Sequence, residues 1–145
     1  MRKGVFFVLV QFGCIFYLLF TGNVFAKHTF LLLLECLGIF VGVWAILIMV
    51  KTSQISITPE VKPAAKLVIK GPYQWIRHPM YTAILVTFLP LIIEHYSIDR
   101  IITYLLLTVD LLLKLHYEEN LLTEKFGDSY ISYQSQSKRL LPFIY

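Results

Sequence analysis

The chain has 145 residues, of which 57% are hydrophobic and only 15% charged, with a formal net charge of +4. Its mean hydropathy of +0.69 is far above that of a soluble domain, whose apolar share is nearer half, so a water-soluble globule with charge over its whole surface is excluded. One compact unit with lipid as its solvent is expected, and because the basic residues flank apolar runs, the charge suits anionic headgroups and implies no nucleic acid.

Val5 to about Phe25 and Thr29 to Val50 each reach roughly the 20 residues that a helix needs to cross about 30 Å of hydrocarbon. Residues 1–50 are therefore read as two N-terminal transmembrane helices. Arg2, Lys3, the first run and Val24-Phe25-Ala26 also resemble a cleavable signal peptide, although the run is long for that purpose. Cys14 and Cys36 lie inside these runs and read as small buried thiols, not as a disulfide framework. Gly38 and Gly42, four apart, let helix backbones approach closely in lipid. Glu35 in the same run is costly to ionise there and needs a partner, a proton or a polar cavity.

Residues 51–70 are polar, with Pro59 and Pro63, and read as a cytoplasmic connector along the interface. Residues 71–145 hold two shorter apolar runs, Met80 to Ile93 and Ile101 to Leu113, which either cross fully or form a short helical hairpin. The expected fold is an all-α integral membrane protein of about four transmembrane helices. In that arrangement eleven Lys and Arg share a side with both termini, against Lys27 and Arg100 on the other, which places the N- and C-termini in the cytoplasm.

Chemistry concentrates at two places. The first is Gly71-Pro72-Tyr73-Gln74-Trp75-Ile76-Arg77-His78-Pro79-Met80-Tyr81, where the connector re-enters the apolar region. Gly71-Pro72 makes a turn, and Tyr73 and Trp75 suit the headgroup belt. Pro79 fits the first turn of a helix and biases His78 toward an extended conformation. A helix start carries free N–H groups, so with Arg77 and His78 beside it the entrance either binds an anion or merely anchors the chain. The second is Asp110, Lys114 and Glu118, at four-residue spacing on one helical face, with Glu119 about 100° around. Asp110 and Lys114 can neutralise each other, whereas Glu118 and Glu119 near a helix C-terminus oppose the dipole and suggest a task beyond solvation. Basic groups from one element and carboxylates from another suit a zwitterionic ligand. His78 and His116 lack helical ligand spacing, so no metal is expected.

Gly-Pro-Tyr, Arg-His-Pro-Met-Tyr and the Glu118-Glu119 pair together resemble the isoprenylcysteine carboxyl methyltransferase family and its phospholipid methyltransferase relatives. The likeness covers Leu67 to Tyr145, with Phe126-Gly127, Tyr130, Tyr133 and Leu141-Pro142-Phe143-Ile144 in the tail. It implies a helical membrane enzyme that takes S-adenosylmethionine into a cytoplasmic pocket of its C-terminal half while a lipid tail enters between helices. By position it implies Arg77, Glu118 and Glu119 as catalytic residues and Tyr73, Arg77, His78, Tyr81, Glu118 and Glu119 as cofactor-binding ones. The N-terminal spans carry no motif and are expected to be helical support. Ala83 stands where the family usually has glycine, and Lys114 where arginine is frequent near the Glu pair, which weakens a bidentate clamp there.

The expected function is an S-adenosylmethionine-dependent methyltransferase acting on the carboxylate of a prenylated or other lipidic substrate, in contact with membrane lipids. A homo-oligomer would complete the surface of so short a chain. An ionised carboxylate needs no base, whereas an amine acceptor, as in phospholipid N-methylation, would call on Glu119 or His116. The other readings are an NADPH-dependent membrane reductase and a non-enzymatic lipid-binding protein.

Overall fold

The computed structural model describes residues 2–53, 58–142 and 144. Part of the connector, residues 54–57, and Phe143 of the tail motif lie outside the described residues. The elements are α1 (Arg2–Phe20), α2 (Thr29–Thr52), a 3-10 turn (Gly71–Gln74), α3 (Pro79–Glu94), α4 (Ile98–Phe126) and α5 (Asp128–Gln136). The expected all-helical class is observed. Among the described residues, α2 is the one helix long and apolar enough to cross a membrane, and Gly4–Phe20 and Pro79–Glu94 are shorter apolar helices. The expected four crossings are thus not all carried by helix length.

The last helix differs from its apolar run. Ile101 to Leu113 accounts for under half of α4, which has 29 residues and is about 44 Å long at 1.5 Å per residue. It continues because its polar half keeps a buried stripe, Leu111, Lys114, Leu115 and Glu119, so amphipathicity replaces bulk hydropathy as the signal. Gly127, at φ +53, ends it and turns the chain into α5, which the sequence reading had left as tail.

The helices pack as two pairs, α2 on α3 and α1 on α4. The first pair is close because of the spaced glycines. A Cβ on Gly38 would stand 2.5 Å from Thr87 Oγ1 and 2.7 Å from its backbone nitrogen, and one on Gly42 would stand 3.1 Å from Ala83 Cβ. Gly38 and Gly42 thus face Ala83 and Thr87, small residues also four apart, as close helix packing in lipid requires. Cys14 and Leu18 of α1 meet Phe88, Leu91 and Leu107 in the main apolar cluster.

Polar groups fix the end of the bundle formed by residues 21–28 and 95–97. Glu35 accepts from the Ala26 N–H at 2.9 Å, and Glu94 accepts from the N–H groups of Lys27 and His28 at 2.6 and 2.9 Å. The carboxylate of one helix pair member thereby caps the start of the other, where the dipole favours negative charge. Arg100, 1% exposed, donates to Leu18 O at 2.9 Å, Thr21 Oγ1 at 2.9 Å and Leu91 O at 3.2 Å. It joins the ends of α1 and α3 through carbonyls of their last turns, that of Leu91 also accepting from the His95 N–H at 3.2 Å.

Substituting Gly38→Ala should lower stability by about 1–3 kcal/mol through overpacking against Thr87. Gly13→Ala, whose Cβ meets nothing within 4 Å, should be neutral or slightly stabilising. Thermal unfolding of both variants in detergent micelles measures the contrast.

Candidate functional site

The helix entrance is built from local rules. Gly71 at φ +62 takes a conformation that side chains disfavour, and Pro72 then opens the 3-10 turn. Pro79 occupies the first turn of α3, as the Arg-His-Pro order predicts, whereas His78, at φ −122 and ψ 59, avoids the helical region without reaching the extended conformation expected of it. Tyr81 does not share a helical face with Arg77, because α3 begins only at Pro79. It stacks on His78 instead, with ring centroids 5.4 Å apart and planes 6° from parallel.

The C-terminal segment docks on this entrance as a short parallel bridge between Ile76 and Lys138. Arg77 N–H donates to Lys138 O at 2.7 Å, His78 N–H to Arg139 O at 3.1 Å, and Lys138 N–H to Trp75 O at 2.9 Å. Thr82 Oγ1 donates to Leu140 O at 2.7 Å, and Tyr133 Oη to Tyr73 O at 2.5 Å. The tail therefore occupies the backbone N–H groups of Arg77 and His78, immediately before the helix start.

Arg77 and Glu119 meet at the centre. Arg77 Nε donates to Glu119 Oε1 at 2.7 Å, and its Nη1 donates to Gln134 O at 3.2 Å and to Ser137 O. Arg139 Nε donates to the other Glu119 oxygen at 3.0 Å. The Arg77 and Glu119 side chains are 8% and 4% exposed, so the pair is buried and fully engaged. Burial pushes the Glu119 carboxyl up, but His78 and Arg77 outweigh it and bring it down to about 2. Glu119 does not line the adjoining cavity, so the expectation that it contacts a ligand finds no support in its position.

Glu118 has a different setting. It is 28% exposed, accepts from Tyr81 Oη at 2.6 Å, and lies 3.8 Å from His78 Nδ1. It lines a cavity of about 500 Å³ together with Tyr73, Arg77, His78 and Tyr81, a size ordinary for small-molecule sites. Each of the six expected site residues except Glu119 contributes to this wall. His116 is exposed and does not line it, which removes it as a nearby base.

The cavity has two halves. Its polar end adds Lys114 and the phenols of Tyr130 and Tyr133, while Gly42, Val43 and Ile46 of α2 with Ala83, Ile84 and Phe88 of α3 form an apolar trough. The connector from Thr58 to Val68 covers the polar end; it is held by Lys66 N–H donating to Ser53 Oγ at 2.8 Å and by Lys125 Nζ donating to Pro63 O at 2.9 Å. Three of the lining residues carry a buried polar atom, Tyr73 Oη, His78 Nε2 and Tyr130 Oη, that has no hydrogen-bond partner among the described residues. His78 Nε2 is 3.5 Å from Glu119 Oε1, too long for a good bond. Burial raises both the Tyr73 and Tyr130 phenols well above their ordinary range, which keeps them neutral donors. Buried polar atoms of this kind are rare unless something else satisfies them.

Sequence reasoning missed Gln11, Lys114, Tyr130 and Tyr133 as site walls and Arg139 as a partner of Glu119. A lone amide in the first apolar run was the available signal for Gln11.

Comparison with known proteins gives a match between residues 26–129 and the sequence model described as phospholipid methyltransferase. No curated protein matches the chain.

Replacing Glu119 by Gln leaves two guanidinium groups around a neutral amide and should destabilise by about 3–5 kcal/mol at pH 7. The depressed carboxyl contributes stability that is fully present above its ordinary value of 4.5 and lost as pH falls through about 2. The gap between wild type and Glu119→Gln should therefore narrow from pH 5 down to pH 2, as read by unfolding in detergent across that range.

Proposed function

The chain belongs to the phospholipid methyltransferase family, and from that membership we propose that it is an S-adenosylmethionine-dependent methyltransferase acting on a lipidic carboxylate at a membrane surface. The observation that carries this reading is a chamber lined by Glu118, Tyr73, His78 and Tyr130, of which the last three each carry a buried polar atom with no hydrogen-bond partner among the described residues. Those groups fit a zwitterionic nucleoside-bearing ligand. Glu118 would take its ammonium or ribose hydroxyls, the two neutral phenols would donate to its oxygens, and His78 would serve either role through Nε2. When bound, S-adenosylmethionine supplies an electrophilic methyl group.

Residues of the chain supply alignment and exclusion of water. The connector and the docked tail cover the polar end, so the reacting groups meet out of bulk solvent. The apolar trough along the α2–α3 pair holds an acyl or prenyl tail and thereby fixes the distance of its head from the chamber. Tyr81, stacked on His78 and donating to Glu118, sets the orientation of both. A carboxylate acceptor arrives ionised and needs no base. An amine acceptor would need its proton removed, and His116 and Glu119, the residues expected to do so, stand apart from the chamber.

We read α1 to α3 and the apolar first half of α4 as embedded in the bilayer, with the cavity end, including Glu118 and Glu119, on the cytoplasmic side. The distribution of basic residues supports this orientation, and it strengthens once Arg100 is seen to be buried, leaving exposed Lys27 at the opposite end. Flanking aromatic and basic groups suit the shorter α1 and α3 to such a position.

S-adenosylhomocysteine should raise the unfolding temperature of the detergent-solubilised protein, with about 2.7 kcal/mol gained at a hundredfold excess over Kd, whereas NADPH should not. Stabilisation by NADPH alone would overturn the reading. Glu118→Gln should abolish the effect of S-adenosylhomocysteine while leaving the ligand-free melting point near that of wild type.

Membranes containing the protein, given a labelled methyl donor, should yield a lipid-soluble product whose label is released by mild base, as a methyl ester requires. A base-stable label would instead indicate an amine acceptor.

A further inference from the structure

We infer that Lys114, held by Gln11 of α1, seats the anionic group of the methyl acceptor, so that the acceptor is an acidic lipid and the first helix belongs to the active site. This inference rests on the methyltransferase reading. Lys114 is 3% exposed, and the hydrogen-bond partner and the ring that its ammonium meets are both neutral. Nζ donates to Gln11 Oε1 at 2.8 Å and stands 5.2 Å from the centre of the Tyr81 ring. An ammonium has three donors, and Gln11 takes one. Asp110 and Glu118 lie one turn away on either side, but neither forms an ion pair with it: Glu118 accepts from Tyr81, and Oδ2 of Asp110 is unpartnered and away from the cavity lining. A buried charge without a direct ion pair is costly; Asp110 and Glu118 act on Lys114 only at longer range, and the residue lines a cavity from which an anion can reach it.

The other cations of the cavity are committed elsewhere or lie at its rim. Arg77 is held by Glu119 and two carbonyl oxygens, and Lys62 and Lys66 are exposed on the connector. Position separates Lys114 from the donor's groups. It lies four residues before Glu118 on α4, about 6 Å deeper toward the apolar half, where Gly42, Val43 and Ala83 line the trough. An amphiphile with its tail in that trough therefore brings its head to Lys114 before it reaches Glu118. Gln11 precedes residue 26 and so lies outside the family match.

The test uses full-length protein in detergent and thermal shift with three probes: a long-chain S-alkyl N-acetylcysteine, its uncharged carboxamide and a long-chain alkyl phosphate. At least one acidic probe should stabilise wild type more than the carboxamide does, and the preferred one tells carboxylate from phosphate. Lys114→Gln should weaken the acidic probe by about tenfold or more, and Lys114→Arg should retain it. Gln11→Glu, nearly isosteric, supplies Lys114 with an internal anion and should weaken the acidic probe as much while sparing the carboxamide. It also serves as the second variant should Lys114→Gln fold poorly. Unchanged acidic binding in Gln11→Glu, or no preference for acid in wild type, overturns the inference. So does loss of S-adenosylhomocysteine stabilisation in Gln11→Glu, because Lys114 would then serve the donor. Failure of S-adenosylhomocysteine to stabilise wild type removes the methyltransferase reading instead, and the acidic probes still decide the role of Lys114.

Discussion

Everything at the polar end of the molecule is organised around one buried carboxylate. Glu119, rising from α4, is gripped on one oxygen by Arg77 from the α3 entrance and on the other by Arg139 from the C-terminal segment. Three stretches distant in sequence are thereby held at one point. Because Arg77 Nη1 also donates to carbonyls of Gln134 and Ser137, further hydrogen bonds help to offset the desolvation that makes buried ion pairs costly. The peptide bridge between Ile76 and Lys138 then follows, as does the burial of Tyr130 and Tyr133 beneath it. Without Glu119 the tail has no electrostatic reason to fold back, and the chamber loses a wall.

This arrangement separates the tasks of two adjacent acids. Glu119 is spent on architecture, which leaves Glu118 as the carboxylate that a ligand meets. The same separation holds for the cations: Arg77 stabilises the protein, and Lys114 remains for the cavity. The bundle repeats the logic in its apolar part. The α2–α3 pair is drawn close through Gly38, Gly42, Ala83 and Thr87, and the α1–α4 pair closes the other side. The cavity lies between the pairs, with Gln11 on one wall and Gly42 on the other.

Much of this was legible in the sequence. Pro79 announces a helix start and constrains His78, and the glycines four apart announce a close helix contact. A pair of acids late in an apolar run announces a polar site. What stayed hidden has physical causes. Adjacent Glu118 and Glu119 differ by about 100° around a helix, and only the position of the partner tells which faces protein. Arg100 reads as a loop charge, although the carbonyls of Leu18 and Leu91 draw it inside. The docked tail depends on a backbone bridge over 60 residues, which no local pattern encodes. Gln11 carried a signal as a solitary amide, but its meaning requires α4 to be placed beside α1.

The chain has two tryptophans, and both sit where the α3 entrance meets α2. Trp44 and Trp75 approach edge to face, with centroids 6.2 Å apart; the first projects from a membrane-type helix and the second from the turn that leads into Arg77 and His78. Any shift of the entrance relative to α2 alters the surroundings of both indoles at once, while the rest of the protein contributes only tyrosine light. The molecule thus carries an intrinsic optical gauge at the mouth of its chamber, able to follow seating of a ligand without an attached dye.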